Sequence, residues 1–163
     1  MNSQLLSCEK LEIPEALKHD HAVLASELIR ATSEPGEIGI AAERLAQLCL
    51  PHFAEEEESV SRATGLLHDL ATDRERAGMA TMAPIIARFS AQHIAMRDQH
   101  QPITAALEAL LQEARKQENM AIVGLVYKIK YHEKIENQVM YPTLLFVDRS
   151  VKQSLKAGRY LNR

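Results

Sequence analysis

The strongest constraint on the fold is a polar pattern written twice in helical register. His52 is followed four residues on by Glu56, and His132 four residues on by Glu136. On a helix, positions i and i+4 share a face, so each pair points one way. The interval from His52 to His132 equals that from Glu56 to Glu136, and the interval from His21 to His100 falls one position short of it. Within each half the leading histidine precedes the His–Glu pair by nearly the same interval, His21 to His52 and His100 to His132. The chain reads as one helical hairpin duplicated, each copy carrying a histidine and then His-x-x-x-Glu.

The remaining sequence suits helical hairpins. Only six glycines and six prolines punctuate 163 residues. Ala, Leu, Glu, Gln, Lys and Arg dominate, and these are good helix formers. Pro14 opens a segment with Leu17, His21, Leu24 and Leu28 at helical spacing, and SEPGE at 33–37 closes it. A second helix carries Ala41, Leu45, Leu48, His52 and Glu56 on one stripe, followed by a polar connection, TDRERAG, at 72–78. The third opens near Pro84, KQENM at 116–120 forms a turn, and the fourth runs to Tyr141–Pro142. The prediction is an all-α, up-down-up-down antiparallel four-helix bundle in a single domain, 1–163. The bundle spans about 13–145. A short C-terminal helical extension, about 146–163, packs on the bundle or on a partner. No strand alternation competes.

At 1.5 Å rise per residue, the distances to the expected turns put His21, His52, His100 and His132 within ~6 Å of one level. His93 lies seven residues before His100, on the same face but about 10 Å along the axis. It is the fallback on the third helix. His19 points off the core face, and His68 lies far from the common level.

Other features exclude function classes. Net charge is −3 with no basic stripe, which argues against a nucleic-acid partner. No apolar run approaches a membrane span, and the N-terminus lacks a signal-peptide pattern. Cys8 and Cys49 form no CxxC pair, so the expected compartment is the reducing cytoplasm. Cys49 reads as a small buried apolar residue, with a redox role as the alternative.

Imidazole nitrogen and carboxylate oxygen together suit first-row metals such as iron, manganese and zinc. Six donors exceed the four of a closed structural zinc site. The expected ligands are His21, His52, Glu56, His100, His132 and Glu136. They suggest two metal ions, each with two histidines, bridged by both glutamates. The competing reading has both His–Glu pairs as salt-bridged helix surface, in a metal-free interaction module that docks through its C-terminal helix.

His21 in KHDHAVL, His52 and Glu56 in PHFAEEEESV, His100 in DQHQPITAAL, and His132 and Glu136 in HEKIENQVMYP resemble hemerythrin and the broader HHE cation-binding domains. The resemblance covers about residues 13–145. It implies a non-heme di-iron centre of two iron ions in an up-down four-helix bundle. It also implies binding or sensing of dioxygen, nitric oxide or redox and iron state. The alternative it implies is enzyme-like, in peroxide reduction or iron–sulfur centre repair. A protein partner or homo-oligomer is compatible with either. Met96 and Thr104 flank His100 where oxygen-carrying hemerythrins have a further histidine, and the fourth helix has His-x3-Glu in place of their His-x4-Asp. The pattern looks more like the repair branch. The acidic residue before the first histidine is Asp20, and its counterpart before His100 is Gln99.

A ligating histidine normally gives its other ring N–H to a carboxylate or carbonyl. Glu55, Glu57 and Glu133 are near in sequence without an assigned role. Tyr127, Tyr131 and Tyr141 read either as donors to a bound ligand or as packing. Pro51 and Pro102 each flank a candidate ligand inside a helix. The kinks either shape an access channel or are tolerated without function.

Overall fold

Good helix formers with apolar residues at 3–4 residue spacing favour helices along the chain. The computed structural model describes residues 15–71 and 79–156, and among these there is no strand. Pro14, Cys8 and the 72–78 connection lie outside the described residues, as do the side chains of Leu17 and His68. The elements are α1 (Glu15–Ala31), α2 (Glu37–Ala71), α3 (Met79–Lys116), α4 (Met120–Ile135), a π-helical segment (Glu136–Met140) and α5 (Tyr141–Lys156). The last three run on without a break, giving four helical rods.

Three expectations are corrected. The third helix begins at Met79, five residues before Pro84, which the helix contains. The fourth does not stop at Tyr141–Pro142. The Tyr141 N–H bonds to the Glu136 carbonyl, so the ladder widens there and resumes as α5. Pro142 lacks an N–H just where the ladder changes step, which lowers the cost of having none. As far as Lys156 the C-terminal segment is therefore part of the fourth rod, and α5 packs on α3 and α2. Leu48 is exposed; the buried stripe of α2 runs through Ile38, Ala42, Leu45, Cys49, His52 and Glu56.

Two turns set the geometry. Between α1 and α2, Gly36 has a φ of 69°, a left-handed conformation that favours glycine. A Cβ on Gly39 would lie 2.1 Å from the Glu34 carbonyl oxygen, so only glycine fits the first turn of α2. Between α3 and α4, Glu118 takes a φ of 55° and Asn119 caps α4, its Oδ1 accepting from the Ile122 N–H at 3.3 Å. Asn119 Nδ2 also donates to Glu34 Oε2 at 3.3 Å, tying one turn to the other.

α1 packs on α2 and α4, α2 on α3, and α3 on both α4 and α5. The larger apolar cluster includes Leu24, Leu28, Leu45, Phe53, Ile103, Leu107, Leu110, Val126 and Ile129. Each such burial is worth roughly 1.5–3 kcal/mol. A smaller cluster holds Phe89, Met96, Tyr141 and Leu144. On the third and fourth rods the predicted histidines fall between the two clusters, and on α1 and α2 they adjoin the larger one. His21 precedes Leu24, His52 adjoins Phe53, His100 lies between Met96 and Ile103, and His132 follows Ile129. A polar layer thus crosses a largely apolar interior.

Candidate metal centre

Each rod contributes to this layer. His21 comes from α1, His52 and Glu56 from α2, His100 from α3, His132 from α4, and Glu136 from the start of the π-helical segment. All six side chains are buried, Glu56 and Glu136 to 0% and 1% exposure. Ring packing fixes two imidazoles: His21 stacks on Phe53 with centroids 4.7 Å apart, and His100 on Tyr141 at 5.9 Å.

The histidines meet in two pairs that sequence spacing does not specify. His21 Nε2 and His132 Nε2 approach to 2.9 Å, and His52 Nε2 and His100 Nε2 to 3.0 Å. Glu136 serves both. Its Oε1 lies 2.5 Å from His132 Nε2 and 3.8 Å from His21 Nε2, while its Oε2 lies 3.3 Å from His100 Nε2. Glu56 serves one pair: its Oε2 is 3.3 Å from His21 Nε2, and its Oε1 accepts from the Tyr141 hydroxyl at 2.6 Å. Two clusters of donor atoms result, each within a 4.8 Å span: His21, Glu56, His132 and Glu136, and then His52, His100 and Glu136.

The outer ring nitrogens are anchored. His132 Nδ1–H donates to Asp20 Oδ2 at 2.6 Å, and His21 Nδ1–H to Glu57 Oε1 at 3.3 Å. His52 Nδ1–H donates to Gln99 Oε1 at 2.7 Å, and Gln99 Nε2 donates onward to Glu55 Oε2 at 2.9 Å. Asn137 Nδ2 lies 2.8 Å from His100 Nδ1. An acceptor at Nδ1 aims the Nε2 lone pairs of His21, His52 and His132 into the layer.

The donor set fits a cation. Glu56 Oε2 and both oxygens of Glu136 are buried without a hydrogen-bond partner. A buried carboxylate costs several kcal/mol unless a cation or a protonated imidazole lies beside it. The inward-facing nitrogens add lone pairs to the same space, so the layer needs positive charge at its centre. N and O donors suit a first-row divalent ion. The buried His/Glu group could therefore hold a metal ion.

The same need appears in the titration of the side chains. Burial works against charge on His21, but Glu136 and Glu56 outweigh it and raise its pKa to about 10. His100 and His132 also shift upward, burial opposing and Glu136 prevailing. His52 shifts down, chiefly through burial. Burial pushes Glu56 up to about 7. Burial acts the same way on Glu136, but the imidazoles of His100, His132 and His21 beside its oxygens hold it well below the usual carboxylate range.

The other sequence candidates fall elsewhere. His93 belongs to neither cluster; its Nδ1–H donates to the Ser90 carbonyl at 2.8 Å. His19 is exposed. Tyr127 and Tyr131 are exposed, whereas Tyr141 is buried against Glu56. Glu133 is buried and accepts from Thr104 at 3.5 Å. The residue that sequence reasoning missed is Asn137, and a signal existed: it follows Glu57 by the same interval that separates His52 from His132. Comparison of the chain with family models, curated proteins and solved structures gives no match.

Proposed function

We propose that this chain is a hemerythrin-like, non-heme di-iron protein that binds or senses a small diatomic ligand, dioxygen or nitric oxide. The observation that carries the reading is the position of Glu136. Its two oxygens face different histidine pairs, as a carboxylate bridging two ions would. The proposed arrangement of the rods is up-down-up-down and antiparallel. Support comes from the Asn119–Glu34 hydrogen bond, which puts the α1–α2 and α3–α4 turns at one end.

His21, His132, Glu56 and Glu136 would hold one ion, and His52, His100 and Glu136 the other. Bound iron would supply open coordination positions and a redox couple. The chain itself orients the donors through Asp20, Glu57, Gln99 and Tyr141, and the apolar clusters on either side limit access of water.

Metal analysis after expression with supplemented iron tests the proposal, together with visible spectra under dioxygen and nitric oxide. The expected result is two irons per chain and a spectrum that changes with the gas. Well under one metal per chain sinks the reading.

A further inference from the structure

The structural repeat carries the support of the histidines as well as the histidines themselves. The contact of Asp20 with His132 becomes, on exchanging one copy for the other, that of Gln99 with His52. The contact of Glu57 with His21 becomes that of Asn137 with His100. At both equivalent positions one copy has a carboxylate and the other an amide. One half of the layer is therefore carboxylate-backed and the other amide-backed.

Three consequences run in one direction. A carboxylate behind an imidazole raises its basicity and fixes its tautomer more strongly than an amide does. The carboxylate-backed half also has four inward donors, against three in the other. Finally, the Asn137 NH₂ group faces His100 Nδ1, which leaves the ring proton on Nε2, aimed at His52 Nε2. Those two histidines satisfy one another without a metal, and an ion entering there must displace that contact and turn the Asn137 amide. In the other half an ion must likewise displace the contact of His21 Nε2 with His132 Nε2, but both Nδ1 atoms already donate to carboxylates, so no anchor has to turn. The amide-backed half also borders a cleft of about 220 Å³ between α2 and α3, lined by Leu48, Pro51, His52, Gln99, Pro102 and Ile103.

We propose that the two halves hold metal unequally: the half built on His21, His132, Glu56 and Glu136 retains its ion, and the half built on His52, His100 and Glu136 exchanges it. This rests on the metal-centre reading above. The residues that set the difference are positioning residues, Asp20 and Glu57 against Gln99 and Asn137.

Titrating the metal-stripped full chain with Co²⁺, read by calorimetry and visible absorption, tests the inequality. Two steps are expected, the first at least about tenfold tighter. His52→Ala should abolish the weaker step and spare the tighter one. The paired exchange Glu55→Gln with Gln99→Glu conserves charge and the internal hydrogen bond, but moves the carboxylate beside His52. It should tighten the second step about tenfold. Asp20→Asn, at an exposed position, should weaken the first step and leave the second. Equal steps, loss of the tighter step in His52→Ala, or a second step unmoved by the paired exchange would overturn the inequality while leaving the metal centre standing. No cobalt bound at all would overturn both.

Discussion

The Tyr141 hydroxyl donates to Glu56 Oε1 at 2.6 Å, joining the first residue of α5 to α2 across 85 positions of sequence. Tyr141 also stacks on His100 and belongs to the smaller apolar cluster. One side chain thus connects that cluster, a histidine of one half and the glutamate of the other. Tyr141→Phe keeps the ring and removes only the donor. The metal-free protein should lose about 1–3 kcal/mol, because a buried carboxylate oxygen is left without a partner. Urea unfolding of the two proteins checks this, and an unchanged midpoint would mean that Glu56 is held by other contacts.

The layer should make the metal-free and metal-loaded proteins respond oppositely to alkali. His21 has a folded pKa of about 10 against an ordinary 6.5. Its contribution to the metal-free fold is fully present below 6.5 and is lost as pH rises through 10. Metal binding must displace that proton, so affinity should rise across the same window, by up to about tenfold per pH unit for each proton released. Glu136 has the opposite shift. Its contribution is present above 4.5 and is lost as pH falls through its depressed folded value. Chelator-stripped protein followed by urea unfolding, beside metal titrations at matched pH, separates the two trends.

Gly39 supplies a test in which two rules disagree. Helix propensity alone favours alanine over glycine by about 1 kcal/mol. The 2.1 Å approach of a Cβ to the Glu34 carbonyl oxygen requires the backbone to move. Gly39→Ala should therefore destabilise the protein, with a net loss above about 1 kcal/mol. A thermal melt decides the sign, and a rise in melting temperature would contradict the close approach.

Cys49 should be inert. It is fully buried, and burial, with the nearby charges of Glu133 and Glu136, pushes its thiol up to about 12. The thiolate is the reactive form, so a thiol reagent should label it only on unfolding. In a Cys8→Ser background, native protein should show no labelling at neutral pH and one thiol per chain in denaturant. Fast native labelling would restore the redox alternative.

Much of this was legible in the sequence because a buried polar residue on an apolar helix stripe breaks the pattern visibly. His21 among Leu24 and Leu28, and His52 after Leu45, announce themselves by periodicity. Their common offset then selects Glu56 from a run of four glutamates. Pairing was not legible. Whether His21 meets His132 or His52 depends on the rotation of each rod, which residue counts do not fix. The anchors were legible only as a neighbourhood: Glu55 and Glu57 differ by two residues, yet one supports His52 through Gln99 and the other contacts His21 directly. Prolines misled the helix boundaries, since Pro84 and Pro142 are both carried inside helical rods.

The π-helical segment separates the two copies in a way their spacing conceals. Residues 56–60, its counterpart in the first half, wind as ordinary α-helix, while 136–140 wind more widely. A wider turn offsets the angular phase of everything beyond it, as one extra tooth offsets a gear train. The same His-x-x-x-Glu therefore drives two different continuations. In the second, the offset carries Tyr141 and Leu144 to the interior. A strict duplication would have ended in mirrored halves; a change of winding after one glutamate gave the copies separate outputs from a shared input.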